Sequence, residues 1–317
     1  LVFEMRKFND LSFSTSWNWR NAWHKNYTGR DVLEEIIGLG FNKAELNYKI
    51  TKEILKSMYP IIESGEVEVT SLHNVFPYTQ DQRLDTDSIF FAYDDEELRS
   101  KAVHATINTI DHAHQLGAKA VVTHIATTPR ELMVYDRQLK ELYRQGKRKS
   151  EDYHVLFKEM VLTRDKTMNQ NMKSIIYCME LLLNHIEKKN YKIILGIENR
   201  AMCYQIPSYN EAKYIIDHLN SDRLGFWLDT GHSVMMENLG LHNRDELYQL
   251  QDKIVGVHIH DAIGVNDHFA PYMKSDCIDE FLPIIKNVEL KVLELGCKNS
   301  KEDIIKGTSI LYDKLMR

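Results

Sequence analysis

The chain has no long apolar run, no surplus of positive charge and no close pair of cysteines. Each absence closes a class of function. Without an apolar stretch of bilayer length, no transmembrane helix and no membrane partner are expected, and the first residues lack the apolar core of a signal peptide. Leu1–Glu4 precede Met5 and are set aside. A formal net charge of −6 gives no field to attract a polyanion, so nucleic acid is not expected as a partner. Cys178, Cys203, Cys277 and Cys297 lie far apart with no C-x-x-C spacing. That argues against a disulfide framework or a cysteine-rich zinc site, and makes a reducing cytoplasm the expected compartment. No Gly/Ser-rich or Pro-rich linker divides the chain, so residues 1–317 are expected to form one domain.

What the chain does have is a run of apolar segments that end on metal-capable side chains. They read Ile-Ile-Leu-Gly-Ile-Glu198, Leu-Gly-Phe-Trp-Leu-Asp229, Ile-Val-Gly-Val-His258 and Leu-Lys-Val-Leu-Glu294. Spaced roughly 30 to 35 residues apart, they suggest a repeated βα unit with its chemistry at one end.

The rest of the chain extends the repeat. Leu11–Ser16 alternates as strand one, followed by the aromatic exit Trp17-Asn18-Trp19-Arg20-Asn21-Ala22-Trp23. These rings are expected to plug a barrel mouth; the alternative is that a ring such as Trp17 stacks on a ligand. Helix one follows Thr28, strand two carries Glu45 towards the barrel, and helix two covers about Lys52 to Glu63. Glu45 reads as an ion-pair partner or a holder of a substrate hydroxyl. Strand three ends on His73 and strand four on His124. Between them, the polar stretch Tyr78–Asp95 reads as a lid, and helix three runs from about Glu96 to Leu116. Its His104, His112 and His114 lie off the apolar face and read as solvated.

A helical excursion follows strand four. Its first part, Arg130 to Arg164, is charged and contains the basic turn Arg144–Lys149. Its second part, Met168 to Ile186, has the apolar stripe of a packed helix four. Helices five (about Tyr209 to Leu219), six (about Asp245 to Gln251), seven (Ile278 to Ile285) and eight (Glu302 to Leu315) complete eight units. Right-handed βαβ connections would close them into a (β/α)8 TIM barrel.

In such a barrel Glu198, Asp229, His258 and Glu294 project from the C-terminal ends of adjacent strands. Three carboxylates at close range repel one another unless a cation sits between them. The oxygen-rich set suits Mn²⁺, Co²⁺ or Mg²⁺, with Zn²⁺ left open. Taken singly, each residue has a structural reading: Asp229 caps the next turn, and Glu198 pairs with Arg200. Taken jointly they favour a metal. His73, His124, His232 and His268 belong to the same face, as further ligands or as contacts to substrate oxygens. His260 is expected on the face of His258, farther past the rim.

At these strand ends the sequence resembles the xylose isomerase-like TIM barrel superfamily, which includes sugar isomerases and epimerases and endonuclease IV. Glu198-Asn199 resembles its strand-five E-N motif, Asp229-Thr230-Gly231-His232 its D-T-x-H, His258-Ile259-His260-Asp261 its H-x-x-D, and Leu293-Glu294 its final ligand. The resemblance implies one metal held by Glu198, Asp229, His258 and Glu294, with the two glutamates exchanging protons with the substrate. His73 and His124 stand where the nuclease branch has metal ligands. Asn266-Asp267-His268 departs from that branch, placing Asn266 where an aspartate is expected.

The sequence therefore points to a metal-dependent isomerase or epimerase of a sugar or sugar derivative, with Arg200 and His232 orienting substrate oxygens. The alternatives are a multinuclear-zinc phosphodiesterase, a sugar dehydratase or lyase, and a non-catalytic ligand-binding barrel. A homo-oligomer is left open.

Overall fold

The structure, a computed structural model, describes residues 6–24, 26–128 and 131–317. Eight parallel strands close into a barrel: β1 (Ser12–Ser14), β2 (Lys43–Leu46), β3 (Glu68–His73), β4 (Ala120–Thr123), β5 (Ile194–Glu198), β6 (Leu224–Asp229), β7 (Ile254–Ile259) and β8 (Leu290–Leu293). Each pairs with its sequence neighbours, and β1 closes the ring against β8 through Phe13 opposite Leu293. This is the (β/α)8 architecture that the repeated units imply. Flanking helices include α1 (Gly29–Ile37), α2 (Lys52–Glu63) and α3 (Glu96–Gln115). Thr28 and Asp31 form a capping box that fixes the start of α1.

Alternation along the strands sets the depth of the site. Two residues below Glu198, Asp229 and His258, on the same inward face, stand Gly196, Trp227 and Gly256. Trp227 is fully buried and fills the barrel beneath the charged residues, among Ala120, Val122, Leu290 and Val292. The glycines make room for it: a Cβ at Gly256 would stand 2.1 Å from the indole, and one at Gly196 2.8 Å. Gly256→Ala is therefore expected to cost about 1–3 kcal/mol of stability by overpacking. Urea unfolding should measure that loss, and shortening the ring in Gly256→Ala/Trp227→Leu should recover part of it. If both variants lose the same stability, the indole is not what the glycine accommodates.

The excursion after β4 runs as α4 (Glu131–Arg144) and a single continuous α5 (Glu151–Lys189) rather than a charged segment followed by a shorter helix. Its expected first residue, Arg130, lies outside the described residues. The basic stretch is the turn between the two helices. A separate apolar cluster, including Leu139, Tyr153 and Met160, packs on Ala201, Cys203, Met235 and Met236. The excursion thus covers the loop that leaves β5 and the helix that follows β6.

Two further elements differ from the sequence reading. A helix, α6, covers Tyr209–Leu219 as expected, but α7 (Thr230–Leu239) then starts directly at the end of β6. Only the short α8 (Arg244–Tyr248) and a 3-10 turn at Gln251–Lys253 stand where helix six was expected. The Tyr78–Asp95 stretch is not a free lid: Phe90 and Phe91 within it are completely buried. Helix seven is a 3-10 turn, Cys277–Phe281, leading into α9 (Leu282–Asn287), and α10 (Lys301–Leu315) closes the chain.

Candidate metal centre

Glu198, Asp229, His258 and Glu294 meet at the C-terminal mouth. Each offers one ligand atom, and these atoms all lie within 4.8 Å of one another. Strand register brings them together, for Asp229 stands beside His258 and Val292 beside His258 on the other side. His258 Nδ1 lies 2.8 Å from Glu198 Oε1, 3.2 Å from Glu294 Oε2 and 3.8 Å from Asp229 Oδ2. On the opposite edge of the ring, His258 Nε2 is 3.1 Å from both carboxylate oxygens of Glu45. Ser71 Oγ donates to Glu45 Oε2 at 2.8 Å. Glu45 is thus an ion-pair partner that turns Nδ1 of His258 towards the carboxylates, the role an outer carboxylate plays for a metal-bound histidine.

Asp229 does two jobs. Its Oδ1 accepts the His232 backbone N–H at 2.7 Å and caps α7, while Oδ2 is 2.9 Å from His260 Nε2. Asn199 ties β5 to β6, accepting the Asp229 N–H and donating to the Asp229 carbonyl.

The charges explain why a cation fits. Burial opposes ionisation of Glu198, but His258 and His124 outweigh it and hold the carboxyl well below its ordinary pKa. Burial likewise opposes a charged His258, and Glu294, Glu45 and Glu198 overcome that, raising the imidazole well above its ordinary value. Asp229 is held low against its burial by His232 and His260. With no cation, then, a protonated imidazole has to balance the carboxylates. A divalent ion ligated by three carboxylates and His258 Nδ1 would supply that charge directly, so the donor set fits a metal.

Two other groups adjoin this quartet. His73, His124 and Glu198 form one; His232, His260 and His268 form the other. In the first, Glu198 Oε2 is 2.6 Å from His124 Nε2 and 3.6 Å from His73 Nε2. In the second, His232 Nε2 is 3.6 Å from Asp267 Oδ2. Asn266, where the resemblance puts the nuclease-branch aspartate, pairs with Ile263 in a hairpin and is exposed, and it is the neighbouring Asp267 that faces His232. Burial lowers the pKa of His232. His268 is pushed up to about 9 because Asp267 and Glu294 outweigh its burial.

A cavity of about 480 Å³ opens above the quartet, lined among others by Trp19, Lys49, His73, His124, Arg200 and Glu294. His232 and His268 also reach it. Of three residues proposed as substrate contacts, Trp17 and Arg200 show the structural reading also given to each, and His260, expected past the rim, is buried instead. Trp17 packs edge-on against Phe13 and donates its indole N–H to Asn299, acting as a plug while Trp19 lines the cavity. His260 is fully buried, accepts the His268 N–H at Nδ1 and backs Asp229. A Cβ at Gly231 would stand 2.1 Å from its ring. Arg200 turns to Glu198 Oε2, 3.3 Å away, and to Asp87 Oδ1, 2.6 Å away. Asp87 and Asp267 escape the sequence reading. Nothing in the stretch Asp81-Gln-Arg-Leu-Asp-Thr-Asp87 distinguishes its last carboxylate from the others.

The sequence profile of the xylose isomerase-like TIM barrel family matches residues 35–307. The chain belongs to that family. Among solved structures, a D-tagatose 3-epimerase-like protein superposes with a TM-score of 0.66 at 16% identity, covering 96% of this chain and 97% of the other. The IolI protein with a bound zinc atom gives 0.63 at 18% identity, with 96% and 97% covered. Endonuclease IV from Thermus thermophilus gives 0.56 at 14%, with 96% and 98% covered. At such identities these likenesses speak for the fold alone. No curated protein sequence matches the chain. Among the described residues of this xylose isomerase-like barrel, no helix is long and apolar enough to cross a membrane.

Proposed function

We propose that the protein is a divalent-metal-dependent isomerase or epimerase acting on a sugar or sugar derivative. The observation that carries the reading is the buried quartet Glu198, Asp229, His258 and Glu294, of which Glu294 lines a cavity large enough for a small polar substrate. Mn²⁺, Co²⁺ or Mg²⁺ would be held by these four residues and would polarise a substrate carbonyl. Glu294 lines the cavity, which supports it as the carboxylate that removes a proton from the carbon next to that carbonyl. As that C–H bond breaks, its electron pair forms the C=C bond of an enediolate and the carbonyl oxygen takes the negative charge. Glu198, fully buried beneath the cavity, is the second carboxylate, and return of a proton to the opposite face or the neighbouring carbon completes the reaction. His232 and His268 also line the cavity, which supports a role for them in holding substrate oxygens.

Turnover in D₂O tests this. Ketoses, aldoses and their acids or phosphates are incubated with the Mn²⁺-loaded protein, and the converted substrate should carry solvent deuterium on the carbon next to the carbonyl. A lyase or dehydratase starts with the same abstraction and is recognised by its product. If no sugar exchanges deuterium or is converted, while an abasic-site duplex is cleaved, the reading is overturned. That second reading, a multinuclear phosphodiesterase, draws on the two imidazole groups beside the quartet.

A further inference from the structure

One carboxylate, Glu198, is shared between two groups of ligands. Its Oε1 faces His258 in the quartet, and its Oε2 faces His124 and His73. A second cation could use Oε2 with the two imidazoles. That position is already taken by a cation belonging to the chain. The Arg200 side chain is buried, its Nη1 touches His124 Nε2 and lies 3.3 Å from Glu198 Oε2, and its Nη2 is 2.6 Å from Asp87 Oδ1.

We propose that the Arg200 guanidinium is a built-in replacement for a metal ion in the His73–His124–Glu198 group, and that it keeps this group from binding one. The inference rests on the metal-dependent reading of the quartet. A guanidinium does not lose its proton in a protein, so its charge cannot be removed to admit a divalent ion. Two cations sharing one carboxylate oxygen in a buried site repel strongly.

The guanidinium is anchored on both sides. Asp87 also meets His124 Nδ1 at 3.1 Å and accepts from Gln205 Nε2 at 3.2 Å. The loop after Arg200 is clamped by the excursion. Lys140 Nζ donates to the Ala201 carbonyl, Asp136 accepts the Cys203 N–H, and Arg164 donates to the Cys203 and Gln205 carbonyls. Lys140 and Asp136 form a buried pair of their own at 3.0 Å. The excursion therefore fixes the backbone from which Arg200 reaches back into the mouth.

The test is metal stoichiometry, measured by equilibrium dialysis against Mn²⁺ and against Zn²⁺ with elemental analysis. Arg200→Met removes the charge while keeping a chain of similar reach. It should bind one equivalent more than the wild type, and His73→Ala added to it should abolish that equivalent. If Arg200→Met fails to fold by circular dichroism, Asp87→Ala, which frees the guanidinium from its anchor, should admit the extra ion with a weaker affinity. Unchanged stoichiometry in the folded variants overturns the proposal. So does a wild type that already loses one equivalent on His73→Ala. The quartet reading fails separately, if wild-type metal content is nil or is indifferent to Asp229→Asn.

Discussion

Glu294→Gln is expected to lower turnover of the true substrate by about 10²–10⁴-fold, because an amide cannot accept the proton that a carboxylate takes from carbon. The substitution keeps the volume and one oxygen that can still face the metal. Because a charged ligand is lost, Mn²⁺ binding should weaken too, so turnover is compared at Mn²⁺ concentrations that fill the variant's site; turnover that stays low there identifies a proton carrier. Glu198→Gln should also suppress turnover, for a further reason. Both its oxygens are engaged, one with His258 and one with His124 and Arg200, and an amide must present N–H to one of these sides. Both variants are compared with the wild type for kcat, for bound Mn²⁺ and for deuterium incorporation. Full activity in both would remove the glutamates from acid–base chemistry. Full activity in Glu198→Gln alone would leave Glu294 to act with a partner such as His268, whose ring stands 3.1 Å from the Glu294 carbonyl oxygen.

Much of this site was legible because each ligand ends a strand. A metal-capable residue after four or five mostly apolar ones is conspicuous, and strand alternation then fixes its direction. Gly196, Trp227 and Gly256 follow the same logic two residues earlier, although their meaning emerges only when the barrel is closed and one indole occupies the space of three strands. The helices are readable where their apolar faces repeat cleanly, as in Tyr209–Leu219. The α7 helix is harder to see because its cap, Asp229, reads as a metal ligand, and a residue with two free oxygens can do both. What the sequence hid depends on distant partners. Arg200 is two residues from Glu198, yet its position is set by Asp87 more than a hundred residues earlier and by a loop held from α4 and α5. Similarly, the shift from Asn266 to Asp267 is a matter of hairpin register, which one sequence does not reveal.

Asp229→Asn should separate metal binding from folding more cleanly than any other single change. Asparagine is as good a helix N-cap as aspartate, so α7 keeps its first hydrogen bond to the His232 N–H. What disappears is the negative charge on the oxygen that faces His258 and His260. Removing an outer partner of a metal ligand costs about 10–100-fold in affinity, the loss expected for Glu45→Gln behind His258. Losing a charged ligand should cost more, above about 100-fold by the same scale. Calorimetric titration with Mn²⁺ measures both variants. Thermal unfolding gives an independent reading, because a ligand at a hundred times its Kd stabilises the folded state by about 2.7 kcal/mol. Wild-type protein should therefore melt several degrees higher with Mn²⁺ than with chelator. Asp229→Asn should melt near the chelated wild type under both conditions. An Asp229→Asn protein that binds Mn²⁺ as tightly as the wild type would take Asp229 out of the ligand set and leave it only the cap of α7.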